Sequence, residues 1–217
     1  MRKRAEQESA FLNIPYDQHY EPLYLAFIAG LSGFGLVPRA TVEIPTSDRR
    51  LDRIMKLIRD CRYSFDDLSR VQVDRMKPST PRFNMPFELG LAVDWSLDAS
   101  PRHEWFVFES KANRLQKSLS DLNRTDPYIH GDKAPGVLHG LMNALTRQNR
   151  RPGFAELDSI YRALREAAHK IRLEGGHSLF EARPFQDLSV LARELAQDRI
   201  SSLRRSERVT EFFRRAL

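Results

Sequence analysis

Apolar residues at Leu23, Phe27, Ile28 and Leu31 keep helical spacing and predict a helix over residues 19–32, with Gly33 and Gly35 as its breakers. Before it, residues 10–14 form a short apolar run stopped by Pro15. Residues 37–44 alternate with β-branched side chains and predict a strand, which Pro38 would confine to a sheet edge. Ser47 or Asp48 is placed to cap a helix whose apolar face carries Leu51, Ile54, Leu57 and Ile58. A brief strand over 61–65 then runs into Asp66 and Asp67, and a polar loop with Pro78 and Pro81 follows. Further on, the pattern predicts a helix over 86–97, a strand over 105–108, a helix over 114–122, a short strand over 128–130 and a helix over 135–148. Past Pro152 only helical periodicity is left, over 154–172 and from Pro184 onward.

Short strands alternating with helices of ~10–15 residues are the signature of βαβ units, whose crossovers are right-handed. About five strands fit an α/β, flavodoxin-like, doubly wound and mostly parallel sheet. The expected organisation is an α/β domain over residues 1–150 with a helical extension over 151–217 packed on it.

Composition narrows the picture. A chain of 217 residues can bury a sizeable core without a disulfide or metal staple. The single cysteine, Cys61, cannot form an internal bridge and has no partner at zinc-finger spacing, so a cytoplasmic setting is the expectation. The start is charged, and the longest apolar stretch, residues 23–36, is short and glycine-rich, so neither a leader nor a membrane span is expected. The net charge of +6 would ordinarily raise nucleic acid as a partner. Its distribution argues against that. Six arginines against two glutamates fall in residues 199–217, and Arg2, Lys3 and Arg4 lie at the other end. Ile200, Leu203, Phe212 and Phe213 between those arginines make an amphipathic helix, suited to docking on the domain or on a second subunit as a homo-oligomer.

In open doubly wound sheets a ligand lies beyond the carboxyl ends of the strands, where the strand order reverses. That crevice collects Pro15, Tyr16 and Asp17 from the first strand, and Ser64, Asp66, Asp67 and Ser69 from the third. The next helix begins with Asn84 and Glu88. Glu88 is expected in the first turn, where the macrodipole favours an ionised carboxylate and Pro86 suits the first helical position. Two carboxylates from different elements are what glycosyl transfer through an oxocarbenium-like transition state requires. The plain alternatives remain open: Glu88 as an ordinary first-turn glutamate, and one of Asp66 and Asp67 as a turn cap.

The strings Phe11-Leu12-Asn13-Ile14-Pro15-Tyr16-Asp17, Asp67-Leu68-Ser69 and Pro86-Phe87-Glu88-Leu89-Gly90 together resemble the nucleoside 2-deoxyribosyltransferase and TIR-like group over residues 10–110. The resemblance implies cleavage of an N-glycosidic bond of a nucleotide, nucleoside or NAD, without a further cofactor, as in a toxin-like defence effector. Glu88 would be the nucleophile at the sugar C1′. Asp67 would hold sugar hydroxyls or help protonate the leaving base, and Tyr16 would orient the glutamate or stack on the base. Asp17, Ser69 and Asn84 would contact substrate. The family's acidic residue and small Gly-Thr-like step before the glutamate are replaced here by Arg82-Phe83-Asn84-Met85-Pro86-Phe87. That departure weakens base exchange, and the Arg82 guanidinium suits a phosphate unless it is a surface charge.

The six histidines show no metal-binding spacing, and no glycine-rich phosphate loop or nucleophile elbow is present. His130 and His139 flank a glycine-rich turn and are expected at the surface. Trp95, Trp105, Phe106 and Phe108 are expected in the core. A nucleotide-sensing module that binds without cutting is the second reading, and a nucleic-acid-binding protein the third.

Overall fold

The computed structural model describes residues 8–43, 49–71, 80–99, 102–122, 125–175 and 178–216, with side chains through residue 201 except at 174–175. Five parallel strands form one sheet: β1 (Ser9–Asn13), β2 (Val37–Ala40), β3 (Tyr63–Asp67), β4 (Glu104–Glu109) and β5 (Tyr128–Ile129). Their spatial order is β2-β1-β3-β4-β5, the flavodoxin-like arrangement. Strand order reverses between β1 and β3, so the crevice lies at the register pair Asn13↔Asp66. β2 with its Pro38 is an edge strand, where a missing N–H costs no ladder bond.

Among the described residues seven helices accompany the sheet: α1 (Glu21–Gly33), α2 (Arg50–Asp60), α3 (Asn84–Asp98), α4 (Arg114–Ser118), α5 (Ala134–Ala144), α6 (Phe154–Gly175) and α7 (Ala182–Ala216). One sheet face carries α1 and α5, and α6 and α7 close over α1 from outside. The other face carries α2 and α3, where Phe11 packs with Ile54, Leu57 and Ala92. Every residue of α1 from Leu23 to Gly33 is buried, because α6 and α7 cover the side that would otherwise face water. This explains an apolar stretch that exceeds one amphipathic face. Two glycines permit the packing. A Cβ on Gly30 would stand 2.3 Å from Leu141 Cδ1, and one on Gly33 would stand 2.2 Å from Leu157 Cδ2. A single buried cluster joins Leu12 and Phe65 of the sheet to Leu157, Leu164, Leu188 and Ala192 of the last two helices. No helix among the described residues is long and apolar enough to cross a membrane.

Some boundaries differ from the pattern. β3 starts at Tyr63 and takes in Asp66 and Asp67 as strand residues, because both pair in register with β4. The helix expected over 114–122 stops at Ser118 and continues as a 3-10 turn over Ser120–Leu122. α5 ends at Ala144, short of Gln148. Phe108 is fully buried, while Trp95, Trp105 and Phe106 are half-buried at the edges of the clusters. The proposed cap at Ser47 or Asp48, Pro78 and the terminal basic residues Arg2, Lys3 and Arg4 lie outside the described residues. So do the side chains of Leu203, Phe212 and Phe213.

Candidate active site

The carboxyl end of β3 presents two consecutive carboxylates to opposite faces of the sheet, as strand geometry requires. Asp66 faces α3. Its Oδ1 accepts a 2.9 Å hydrogen bond from Asn13 Nδ2, which also donates to the Met85 carbonyl of α3 at 2.8 Å. Asn13 therefore clamps the end of β1 to both β3 and the start of α3. Asp66 Oδ2 is buried and has no hydrogen-bond partner among the described residues. Burial pushes the Asp66 carboxyl up to about 8; the Asn13 amide opposes this and the nearby Glu88 carboxyl adds to it.

Glu88 sits in the second turn of α3. The helix begins at Asn84, two residues earlier than Pro86 predicts, and Phe83 caps it without a side-chain bond. Pro86 is still tolerated, since the first helical N–H groups have no acceptor within the helix. This corrects the expected ionisation of Glu88. The residue is only 5% exposed, and burial raises its carboxyl to about 7 against the attraction of Arg50. Desolvation outweighs the helix dipole once the side chain has passed the first turn.

Tyr16 stands at the same crevice. Its hydroxyl accepts a 3.1 Å bond from Thr41 Oγ1, just beyond β2, and its ring lies 5.9 Å from that of Phe180. Burial pushes the phenol up to about 12, with Thr41 opposing, Glu88 adding and Arg50 opposing. Arg50, the first residue of α2, thus acts on both Glu88 and Tyr16. Sequence reasoning missed it, because a helix-start arginine in a run of charges carries no distinguishing signal.

Asp67 faces the other way. Its Oδ1 accepts the Ser69 N–H at 2.7 Å, and its Oδ2 accepts the Tyr20 hydroxyl and lies 3.1 Å from His130 Nε2. His130 Nδ1 accepts the Asp132 N–H at 3.1 Å, so the ring proton belongs on Nε2, directed to the carboxylate in a poorly aligned contact. Despite full burial, the His130 and Ser69 contacts hold the Asp67 carboxyl below its usual range, with Tyr20 assisting. The same burial and the Asp67 charge push the Tyr20 phenol well up. His130 is 3% exposed and belongs to the interior, contrary to expectation. The short β5 and the turn through Gly131 and Asp132, both at positive φ, carry it inward. His139 is exposed and stacks on Phe154.

The other candidates divide. Asp17 caps the turn at Gln18–Tyr20 through Oδ1 and meets Arg82 at 3.5 Å through Oδ2. Arg82 thus joins the loops after β1 and β3 at the rim, with its side chain 43% exposed. Asn84 is exposed at the start of α3. Ser69 Oγ is buried without a partner among the described residues, and the Ser69 carbonyl accepts Arg114 Nη2 at 2.8 Å. Arg114 in turn grips the buried Glu109 at the end of β4. Ser64 is not at the crevice. Lower in β3, it donates to His103 Nε2 at 2.9 Å, while His103 Nδ1–H donates to the Cys61 carbonyl at 2.9 Å. The structure therefore gathers Tyr16, Asp66 and Glu88 at the crevice, with Arg50 acting on Tyr16 and Glu88, and turns Asp67 into a junction on the opposite face.

A groove of about 490 Å³ between α1 and α6 contains none of these residues. Glu21, Arg162, Arg165, Glu166 and Arg172 give it mixed charge, and Arg172 is already paired with Glu21 at 3.0 Å. Among the described residues no group of three or more His, Cys, Asp or Glu side chains is placed to hold a metal ion. No family model and no curated protein matches this sequence.

Proposed function

We propose that the protein cleaves the N-glycosidic bond of a nucleotide, nucleoside or NAD, with Glu88 as nucleophile and Asp66 as the proton donor. The observation that carries this reading is the buried Glu88 within electrostatic reach of Asp66 at the β1/β3 switch point, with the two carboxyls raised to about 7 and about 8. Near neutral pH such a pair holds one ionised and one protonated member, the division of labour that glycosyl transfer needs. The ionised Glu88 attacks C1′, and a Glu88–C1′ ester bond forms as the bond from C1′ to the base nitrogen breaks. The Asp66 proton passes to the departing base. Water then attacks C1′, returns a proton to Asp66 and frees Glu88. Tyr16 positions the nucleophile, and Arg82 at the rim offers a cation to a substrate phosphate. The resemblance over residues 10–110 supports the same chemistry, with Asp66 taking the proton role the resemblance gave Asp67.

The test is incubation of the protein with NAD, deoxynucleoside monophosphates and deoxynucleosides, following free base by chromatography. Release by the wild type and none by Glu88→Gln, with an unchanged far-ultraviolet spectrum, is the expected result. No release from any of the three by a folded wild type defeats the proposal. One observation favours the competing reading of a binding module: Glu88 is only 5% exposed, so little of it meets solvent. Thermal stabilisation by a nucleotide without turnover is the outcome that reading predicts.

A further inference from the structure

The outward face of α3 has the wrong chemistry for water. Glu88, Met85, Leu89, Ala92 and Ser96 point inward and are buried. The opposite stripe is Phe83, Phe87, Gly90, Asp94 and Leu97, all exposed, at successive spacings of four, three, four and three residues. That is the seam spacing of packed helices. Phe83 is 68% exposed, Phe87 54% and Leu97 75%, three of the most exposed large apolar side chains described. A surface helix ordinarily keeps this face polar. At the middle of the stripe stands Gly90, where an added Cβ would meet nothing within 4 Å. It leaves room for a second helix at an axis separation of about 9–10 Å.

We propose that this face is a self-association surface, on which α3 of a second copy of the chain lies antiparallel across a two-fold axis beside Gly90. A two-fold interface must be complementary to itself, residue for residue. The pattern meets that demand. Positions equally far from Gly90 on either side face each other, so Phe83 meets Leu97 of the second copy and Gly90 meets Gly90. One step further out, Arg82 meets Asp98 of the second copy. Asp98 is exposed, and Arg82 has only a 3.5 Å contact with Asp17 to give up or share. Apart from Asp94, apolar residues therefore face apolar residues along the seam, with opposite charges at both ends, and the same pairs occur twice. A parallel arrangement would set Arg82 against Arg82 and Asp98 against Asp98. Asp94, the one charged residue of the stripe, falls opposite Pro86 of the second copy. Burial of this face leaves Glu88 on the opposite side of α3 untouched; Arg82 is the one residue shared with the proposed reaction, and Leu97→Asp and Gly90→Cys test the interface without touching it.

Sedimentation velocity across a concentration series up to about 100 µM, a range that spans ordinary self-association constants, provides the test on the full chain. A dimer is expected for the wild type. Leu97→Asp abolishes it. Arg82→Asp and Asp98→Arg each weaken it by about tenfold or more, because each places like charges opposite one another. The double variant Arg82→Asp with Asp98→Arg recovers dimerisation to within about threefold of wild type, as a charge swap across the axis requires. Gly90→Cys oxidises to a disulfide-linked dimer, since the two Cα atoms come within the ~4.4–6.8 Å a disulfide spans. Thermal unfolding of each variant separates lost association from lost fold. A wild-type monomer throughout the series overturns the proposal, as does a dimer indifferent to Leu97→Asp. A double variant as weak as the single ones, with Gly90→Cys still uncrosslinked, overturns the antiparallel register.

Discussion

Replacing Asp66 by Asn should stabilise the protein at neutral pH, although it changes a buried, hydrogen-bonded residue at the centre of the candidate site. The carboxyl ordinarily titrates at 3.8 and is raised to about 8 in the fold. Between those values the folded chain holds a proton that the unfolded chain has released, so stability falls as pH rises through this window and levels off above about 8. At ~1.4 kcal/mol per pH unit, holding the proton at pH 7 costs roughly 4 kcal/mol. The amide removes that linkage while retaining an oxygen to accept the Asn13 N–H and an N–H₂ group in place of the protonated oxygen. Asp66→Asn and wild type should match near pH 4 and diverge steadily above it. At pH 7 the variant should melt about 8–16 °C higher, from the usual slope for a chain of this size. Urea unfolding followed by the fluorescence of Trp95 and Trp105, from pH 4 to 8.5, measures the difference directly. A variant less stable than wild type at pH 7 would mean that Asp66 is ionised and paired with a cation, and a difference independent of pH would remove the proton linkage altogether. Either result refutes the electrostatic account of the site.

Base release should rise with pH through about 7 as Glu88 ionises, and fall above about 8 as Asp66 loses its proton, giving a narrow bell in kcat/KM; a flat profile from pH 6 to 9 excludes this pair as the acid and base. Gly136→Ala should destabilise by about 1–3 kcal/mol or more, since its Cβ would stand 2.2 Å from the His130 carbonyl oxygen and 2.7 Å from the His130 Cα, backbone that cannot swing aside; a melting temperature within experimental error of wild type contradicts the packing. Tyr20→Phe should cost about 1.5–3 kcal/mol by removing a donor from a buried carboxylate. Because Asp67 is held below its ordinary 3.8, that stabilisation is complete above this value and is lost as pH falls further. The Tyr20→Phe deficit should therefore be constant from pH 5 to 7 and shrink on acidification, and a deficit that grows in acid would show that Tyr20 favours the neutral carboxyl.

The order of elements was legible in the sequence because each carried its own period: helical spacing at Leu23, Phe27 and Leu31, and compact β runs at residues 10–14 and 105–108. The flavodoxin-like order followed from strands alternating with helices, and Pro38 identified an edge. The site was legible only in outline. Tyr-Ser-Phe-Asp-Asp of β3 is buried along its whole length, as in a strand covered on both faces, so no alternation marks which aspartate points to which helix. The pairing of Glu88 with Asp66 instead of Asp67 is a consequence of the Asn13↔Asp66 register, a relation between residues 53 apart. His130 was illegible for a related reason. Its place in the interior depends on a two-residue strand and a left-handed turn, and neither leaves a hydrophobic period.

The neighbouring aspartates show how a sheet can assign opposite protonation states to identical side chains. On the α1/α5 face, Asp67 meets a backbone N–H, a phenol and an imidazole drawn from three separate loops. Those donors overcome desolvation, so the anion is fixed and the loops after β1, β3 and β5 are tied to it. On the α3 face, Asp66 accepts from one amide and lies within the electrostatic reach of Glu88, and desolvation prevails. A satisfied anion is a poor proton carrier, since its donors must be given up before it can take a proton. An under-satisfied carboxyl beside a second one is the reverse, holding its proton weakly enough to transfer it near neutral pH. The junction at Asp67 thus ties three loops to one anion, and the incomplete solvation falls on Asp66 and Glu88, which is where the proposed reaction would draw on it.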